Sequence, residues 1–484
     1  MSASFHDRRA FIGYFAGLGL GSTLLPGVLW TQAAAGVEIT TASIAAAAEL
    51  AGLSFTEEER EMMLEGLQQQ ARRLDALHAV AIDDAVAPAI LFEPLPPGRA
   101  LPAPERKRRL VRSPVKARAV PRDLGELAFL PVTELSELVR RRKVTSEQLT
   151  RMYLDRLRRH DPLLKCVITL TEERALRQAR AMDEELARGR WRGPLHGIPW
   201  GAKDLLASKG YPTTWGAGPY RDQVIDEDAT VVSRLDAAGA VLVAKLSLGE
   251  LAQGDVWFGH GATDAGPDEP RTGQRTRNPW KPEQGSSGSS AGPAAATAAG
   301  LVGFSIGSET LGSISSPSTR CGTTGLRPTF GRVPRTGAMA LSWTMDKLGP
   351  ICRSVEDCAL VLDAIHGADG RDLTARDAPF TWDATLSPRT LRAGYVKSAF
   401  DLPAQDPDDP KRFSHPTKPF DDAALEVLRR LGATLVPVEL PDLPYDAMRI
   451  ILVAEAAAAF DELTRSGRDR ELVQQCPGDW ANTF

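Results

Sequence analysis

Apolar positions recur at helical spacing in two early stretches. After Ser54-Phe-Thr-Glu57, an order that reads as a capping box, Met63, Leu67, Ala71 and Leu74 line one face and Glu61, Gln68, Arg72 and Asp75 the other. One apolar stripe on a short helix needs something larger to pack on. Thr145-Ser-Glu-Gln148 predicts a second capped helix, with Leu149, Met152, Tyr153 and Leu157 on its buried face. Further along, one order repeats: helix, glycine, short apolar strand. It runs through Thr230–Ala238, Gly239 and Val241–Ala244, then Ala294–Ala299, Gly300 and Leu301–Ile306, then Ala423–Leu431, Gly432 and Thr434–Val438. That order predicts an α/β domain with helices on the faces of a sheet, starting near Leu127. Ile198–Lys203 reads as one more apolar strand, entering the core.

The ends of the chain break this pattern. Arg8 and Arg9 precede Phe11, an uncharged Gly-rich run extends to Trp30, and Ala33–Ala35 offers a small-residue cleavage site. Basic, apolar and small segments in that order predict a secretory signal over residues 1–35, twin-arginine-like, and an exported, periplasmic protein with no stable membrane insertion once the signal is removed. Residues 36–93 follow as a helical arm. Residues 94–126 mix prolines with Arg99, Arg106, Lys107, Arg108, Arg109, Arg112, Lys116 and Arg118, which predicts an extended, solvated linker. The compact domain occupies 127–484, and Trp480–Phe484 gives no closing helix or strand signal, which leaves open whether the chain is a C-terminal truncation.

Bulk numbers narrow the function. Of 484 residues, 58 are Lys or Arg and 62 Asp or Glu, a net charge of -4 that argues against a nucleic-acid partner held by electrostatics. Five scattered cysteines form neither a disulfide framework nor a zinc pattern. No metal and no organic cofactor is expected.

The chemistry concentrates in residues 284–325, where Gly/Ser clusters flank a helix former and a strand. Such turns can aim backbone N–H groups at an anion. A serine nucleophile needs a base. Of seven histidines, His196 and His260 lie near glycine-rich turns, yet neither sits in a Ser-His-Asp signature, and GxSxG is absent. Lys203 can serve instead if burial keeps its amine neutral, and a buried lysine is costly unless hydroxyls partner it.

The segments HGIPWGAKD (196–204), GSSAGPAAATAAG (288–300) and GSETLGSISSPSTRCGTTGLRPTFGRV (307–333) resemble the amidase signature family. The likeness continues through Leu341–Asp346, Gly349-Pro350 and Arg353–Asp357, from about residue 127 to the end. The resemblance implies the amidase signature fold, an α/β architecture with a large mixed central sheet flanked by helices on both faces. It also implies a serine–serine–lysine triad: Lys203 as base, Ser313 as nucleophile, and a bridging serine preceded by a cis peptide. Ser286, Ser287, Ser289 and Ser290 compete for the bridge. The register of the helix ending at Gly300 selects Ser289, 24 residues before Ser313, which is the family spacing. Backbone N–H groups of Thr310, Leu311, Gly312 and Ser313 are the oxyanion candidates.

Three residues depart from the family pattern. Leu311 replaces a usual glycine, where its side chain would narrow the acyl pocket. Ser315 replaces a usual arginine, so a charge contact to Glu309 is expected to be lost. Pro293 stands at the relay helix start. Asp346, Arg353 and Asp357 read as structural, and Thr213 and Thr214 as pocket or turn residues. The leading expectation is hydrolysis of a small-molecule carboxylic amide, with room for a homo-oligomer. Two other readings stand beside it: a glutamine-hydrolysing protein like the A subunits of amidotransferases, and a catalytically silent binding protein on the same scaffold. The stretch Ala48–Leu95 also resembles, over a short span, the small C subunit of tRNA-dependent amidotransferases.

Overall fold

The computed structural model describes residues 39–50, 53–78, 92–93, 95, 110–115, 119–259, 273–407, 414–443, 445–476 and 478–483. The basic and apolar segment at 1–35, most of the proline-rich stretch and His260 lie outside them. The chain divides into two units, Met1–Val86 and Ala87–Phe484.

In the first unit, helices α1 (Thr41–Leu50) and α2 (Glu57–His78) pack through Ile39, Ile44, Ala47 and Met63, with Phe55, Leu64 and Leu67 alongside. The capping box of α2 lies two residues later than its predicted position. The Glu59 N–H donates to Thr56 Oγ1 at 3.2 Å and the Thr56 N–H to Glu59 Oε2 at 2.7 Å. The helix starts at Glu57, so Thr56 is the residue flanking its first turn.

The second unit opens with a short, half-buried piece of the expected linker that pairs with another strand, followed by the exposed residues 112–114. Leu110–Val111 pairs in parallel with Trp382–Asp383, and the Ser113 N–H donates to Glu356. Then come α3 (Val132–Arg140), α4 (Ser146–Leu164), β1 (Val167–Leu170), α5 (Glu172–Ala187), β2 (Pro199–Lys203), α6 (Thr230–Ala237) and β3 (Val241–Leu246). After them follow α7 (Ala291–Ala298), β4 (Phe304–Glu309), α8 (Ser315–Cys321), β5 (Thr324–Gly325), β6 (Lys347–Cys352) and α9 (Val355–Ile365). The six strands form one mixed sheet in the order β5-β6-β4-β2-β3-β1, with β4, β2 and β3 parallel. Thr145 caps α4 with the predicted box, and Leu149, Met152, Tyr153 and Leu157 are buried. The strand expected at Leu301–Ile306 starts at Phe304 instead. Leu301–Gly303 is the turn that brings the chain back from α7.

Strand alternation separates the two faces of the sheet. Trp200, Ala202, Leu242, Phe304 and Ile306 face the core built with Leu135, Val139, Val231, Leu235, Val361 and Ile365 of α3, α6 and α9. Val241, Val243 and Val302 face the other core, with Leu154, Leu157, Ala175, Ala179, Ala295 and Ala296 of α4, α5 and α7. Along β2, Gly201 and Lys203 therefore share the α7 side. The third predicted helix–glycine–strand unit does not join this sheet. Its strand β8 (Thr434–Val438), preceded by helix α10 (Lys418–Arg430), pairs in parallel with β7 (Arg392–Val396) as a separate two-stranded sheet.

Two side chains tie distant segments together. Arg353 donates to the carbonyls of Thr297, Val302 and Leu130. Asp357 accepts from the Val132 and Thr133 N–H groups at 2.9 and 3.1 Å, capping the start of α3 from α9. Asp357→Ala leaves those donors unpaired in a buried place, and is expected to cost about 2 kcal/mol of unfolding free energy. Denaturant unfolding followed by far-UV circular dichroism checks this.

Candidate active site

Lys203 ends β2, and Ser308 lies near the end of the neighbouring parallel strand β4. The site thus forms at the carboxyl ends of parallel strands, where the chain leaves the sheet and side chains from several loops converge. Helix α7 points its N-terminus at the same place. Six of its first seven residues are Ala, Gly or Pro, and all seven are buried, so its backbone lies close to the sheet. A Cβ on Gly292 would stand 2.5 Å from the Cys166 carbonyl, and one on Gly307 would stand 2.6 Å from Ser290 Oγ. Gly307 thus makes room for Ser290, and Gly292 lets the first turn of α7 approach the backbone at Cys166 and Ser247.

Lys203 is fully buried. Its Nζ contacts Ser289 Oγ at 2.8 Å, Ser308 Oγ at 2.9 Å, Ser290 Oγ at 3.2 Å and the Ser308 carbonyl at 3.5 Å. Among the described residues, no carboxylate comes within ion-pair distance of it. Burial pushes the amine well below the usual lysine range, and the charges of Asp346 and Glu309 only partly oppose this. Ser290 braces the cluster: its hydroxyl donates to the Ser308 carbonyl at 3.0 Å and accepts from the Ser308 N–H at 3.1 Å. Its own N–H donates to the Ser313 carbonyl at 3.0 Å.

Of the four competing serines, Ser289 makes the shortest contact with Lys203. The Gly288–Ser289 peptide is cis, as the family resemblance implies. Ser286 bonds locally to the Ser287 carbonyl, and Ser287 Oγ pairs with Ser316 Oγ at 2.7 Å, so neither reaches the lysine. A Cβ on Gly288 would lie 1.8 Å from the Gly254 carbonyl, which packs the loop Gly249–Gly254 against this turn. Ser313 is half-buried on the turn after β4. Its main chain is fastened to Ser290, and its hydroxyl makes no hydrogen bond with a described residue.

Glu309 shapes that turn. Its Oε2 accepts from the Ile314 and Ser315 N–H groups at 2.8 Å each and from Ser315 Oγ at 3.0 Å. Burial would raise this carboxyl, but the donors of Ser315, Ile314 and Gly312 hold it below its usual value. The charge contact expected to be lost with Ser315 is instead supplied from elsewhere. Arg327 reaches Glu309 Oε1 at 3.4 Å, while the smaller Ser315 contributes its hydroxyl. Gly312 carries the left-handed backbone of the turn, at φ 90°, so Leu311 is not forced into that region. The Leu311 side chain is 55% exposed. Among the described residues, the N–H groups of Leu311 and Ser313 donate to no acceptor, whereas that of Gly312 leans toward Glu309. Thr310 is held by Asp346, whose Oδ1 accepts from Thr310 Oγ1 at 2.5 Å.

Other nominated residues lie elsewhere or serve the frame. His196 is buried at the opposite end of β2 from Lys203, with Nε2 at 3.0 Å from the Met182 carbonyl. Thr213 and Thr214 surround a fully buried ion pair, Lys245 to Asp204 at 2.7 Å, directly beside Lys203 in the sequence. No group of three His, Cys, Asp or Glu side chains among the described residues is placed to hold a metal. Sequence reasoning weighed Ser290 only as a bridge and missed its bracing role, Ser308 and the Lys245–Asp204 pair. The available signals were the serine doublet 289–290 and the Lys-Asp step at 203–204.

A fold with this sheet and a buried lysine among serines defines a class, and the comparisons agree. A family model described as Amidase matches residues 148–477, and the chain belongs to that family. Over 337 residues it is 39% identical to the A subunit of the glutamyl-tRNA(Gln) amidotransferase of Moorella thermoacetica, covering 69% of this chain and 65% of that protein. The corresponding protein of Geobacter metallireducens is 38% identical over 338 residues, with the same coverage. The chain therefore spans just under two thirds of the length of the curated relatives it matches. Among solved structures, native peptide amidase from Stenotrophomonas maltophilia aligns with a TM-score of 0.60 and 35% identity, over 71% of this chain and 69% of that one. The glutamyl-tRNA(Gln) amidotransferase A subunit from Thermotoga maritima gives 0.55 and 28%, over 71% and 70%.

Removing either partner of the turn's ion pair separates their roles. Glu309→Ala strands buried N–H groups and is expected to cost about 2–3 kcal/mol. Arg327→Ala removes only a half-exposed guanidinium and is expected to cost under about 1 kcal/mol. Denaturant unfolding of both variants measures the contrast.

Proposed function

We propose that this amidase-family enzyme hydrolyses a carboxylic amide through an acyl-enzyme on Ser313, with Ser289 as proton relay and Lys203 as base. The observation that carries the reading is Lys203, buried among three hydroxyls with no carboxylate at ion-pair distance among the described residues. A lysine so placed is kept neutral by the cost of charging it, and a neutral amine is a base.

In this reading the neutral Lys203 amine takes the Ser289 proton while Ser289 Oγ takes that of Ser313. Ser313 Oγ bonds to the amide carbon, and the carbonyl becomes an oxyanion facing the free N–H groups of Leu311 and Ser313. As the C–N bond breaks, the relay returns the proton to the departing nitrogen. Water then adds to the acyl carbon, its proton moving into the same relay, and the acid leaves as Ser313 Oγ is reprotonated. The Ser289–Ser313 link is one that substrate binding would draw together, since such bonds are often long in the free enzyme.

A second reading is favoured by the identity to amidotransferase A subunits: ammonia released from glutamine would be passed to a partner-bound acceptor. The basic and apolar start of the chain supports an exported protein instead, and so a stand-alone amidase acting on a small amide. Glutaminase activity that rises several-fold only with added partner subunits would favour the second reading.

Ser313→Ala is expected to lower kcat/KM on the best amide of a substrate panel by at least about 10³-fold, and Lys203→Met by a similar factor. Fluorophosphonate labelling that is equal in wild type and Ser313→Ala would remove Ser313 from the mechanism. The pH profile gives an independent check. Because the Lys203 amine is depressed well below 10.5 and must be neutral to act, activity should rise with pH and level off well below pH 10.5. A rise that continues to that pH would mean an ordinary lysine.

A further inference from the structure

Lys347 opens β6 and pairs across the sheet with Glu309. It is half-buried, and its Nζ donates to the Thr310 carbonyl at 3.0 Å. Among the described residues, no carboxylate lies within ion-pair distance of this amine; burial and the charge of Arg327 lower it from the usual lysine value, and Glu309 and Asp346 partly oppose them. Its hydrogen bond therefore goes to a backbone carbonyl at the start of the turn that carries Ser313. Thr310 is pinned on its other side as well, by its hydroxyl to Asp346.

The peptide that follows Thr310 is planar and trans, so its C=O and the Leu311 N–H point in opposite directions. Holding the carbonyl on Lys347 fixes the direction of that N–H, which donates to no described acceptor. A cationic donor on the carbonyl also polarises the peptide and makes its N–H the stronger donor. We infer that Lys347 is a positioning residue for the oxyanion site: through the Thr310 carbonyl it aims and strengthens the Leu311 N–H. The inference rests on the reading of Ser313 as nucleophile.

The test uses the full chain and a fluorophosphonate probe. Ser313 Oγ displaces fluoride from its phosphorus, and its P=O occupies the position of the oxyanion. Saturation labelling gives a maximal rate and a half-saturating concentration for wild type and for Lys347→Met, Lys347→Gln, Lys347→Arg and Ser313→Ala. Rates are expressed per labelled site, and folding is checked by thermal melting. The expected result is a roughly 10- to 100-fold fall in maximal rate for Lys347→Met, with the half-saturating concentration within about threefold of wild type. Lys347→Arg should recover most of the rate. Lys347→Gln, which keeps a donor without charge, should fall between. A folded Lys347→Met that labels at the wild-type rate overturns the inference, as does a loss confined to the number of labelled sites, which would mark a purely structural role. Labelling of Ser313→Ala at the wild-type rate would instead overturn the nucleophile assignment. The two failures are therefore distinguishable.

Discussion

The arrangement around Ser289 depends on keeping an amine out of water at the end of β2. An isolated ammonium in an apolar interior costs several kcal/mol, and a carboxylate beside it would restore the charge. The chain does neither. It surrounds the Lys203 Nζ with the hydroxyls of Ser289, Ser290 and Ser308, which hydrogen-bond to an amine without fixing its charge. The alanine- and glycine-rich start of α7, with Gly307 against Ser290, follows from this. Bulkier residues there would push the serines away from the lysine. The position of β2 in mid-sheet follows too, because only an inner strand buries its last residue on every side.

A second constraint acts on the turn after β4. Glu309 gathers the N–H groups of Ile314 and Ser315 and so fixes the backbone just after Ser313. That carboxylate is buried and needs compensation. The family pattern supplies an arginine two residues after the nucleophile. Here a serine hydroxyl and a more distant guanidinium, Arg327, share the task. Local hydrogen bonding and charge are thus delivered by different residues, which is why the loss of one arginine need not loosen the turn.

Much of the domain's architecture was legible in the sequence because it is written locally. Thr145 and Gln148 announce α4, and Val241–Leu246 shows its burial as an unbroken apolar run. That Lys203 would meet Ser289, and not Ser286 or Ser287, was legible through motif spacing and helix register; the side-chain hydroxyl of Ser313 makes no contact that tests its assignment. What stayed hidden depends on contacts remote in sequence. Nothing near Thr434–Val438 tells that this strand pairs with Arg392–Val396 and not with the main sheet. Nothing near Ser315 tells that Arg327 will reach Glu309. The α2 capping box was misplaced because Ser54 and Thr56 both precede acidic residues at the right interval, and only the helix start decides between them.

Three lysines show how environment, and not residue type, sets the chemistry here. Lys245 is as buried as Lys203, yet Asp204 stands 2.7 Å from its Nζ, so the two form an ion pair, with Thr213 and Thr214 satisfying the remaining atoms. Burial lowers both amines, and only for Lys245 does a direct carboxylate contact oppose it. Lys347 is partly exposed and turns to a carbonyl, where it can act on a peptide dipole without moving a proton. The adjacency of Lys203 and Asp204 sharpens the point. Asp204 stands in the turn just past β2, where its carboxylate meets Lys245 and not Lys203. The pairing of Asp204 with Lys245 leaves the Lys203 amine without a carboxylate contact among the described residues.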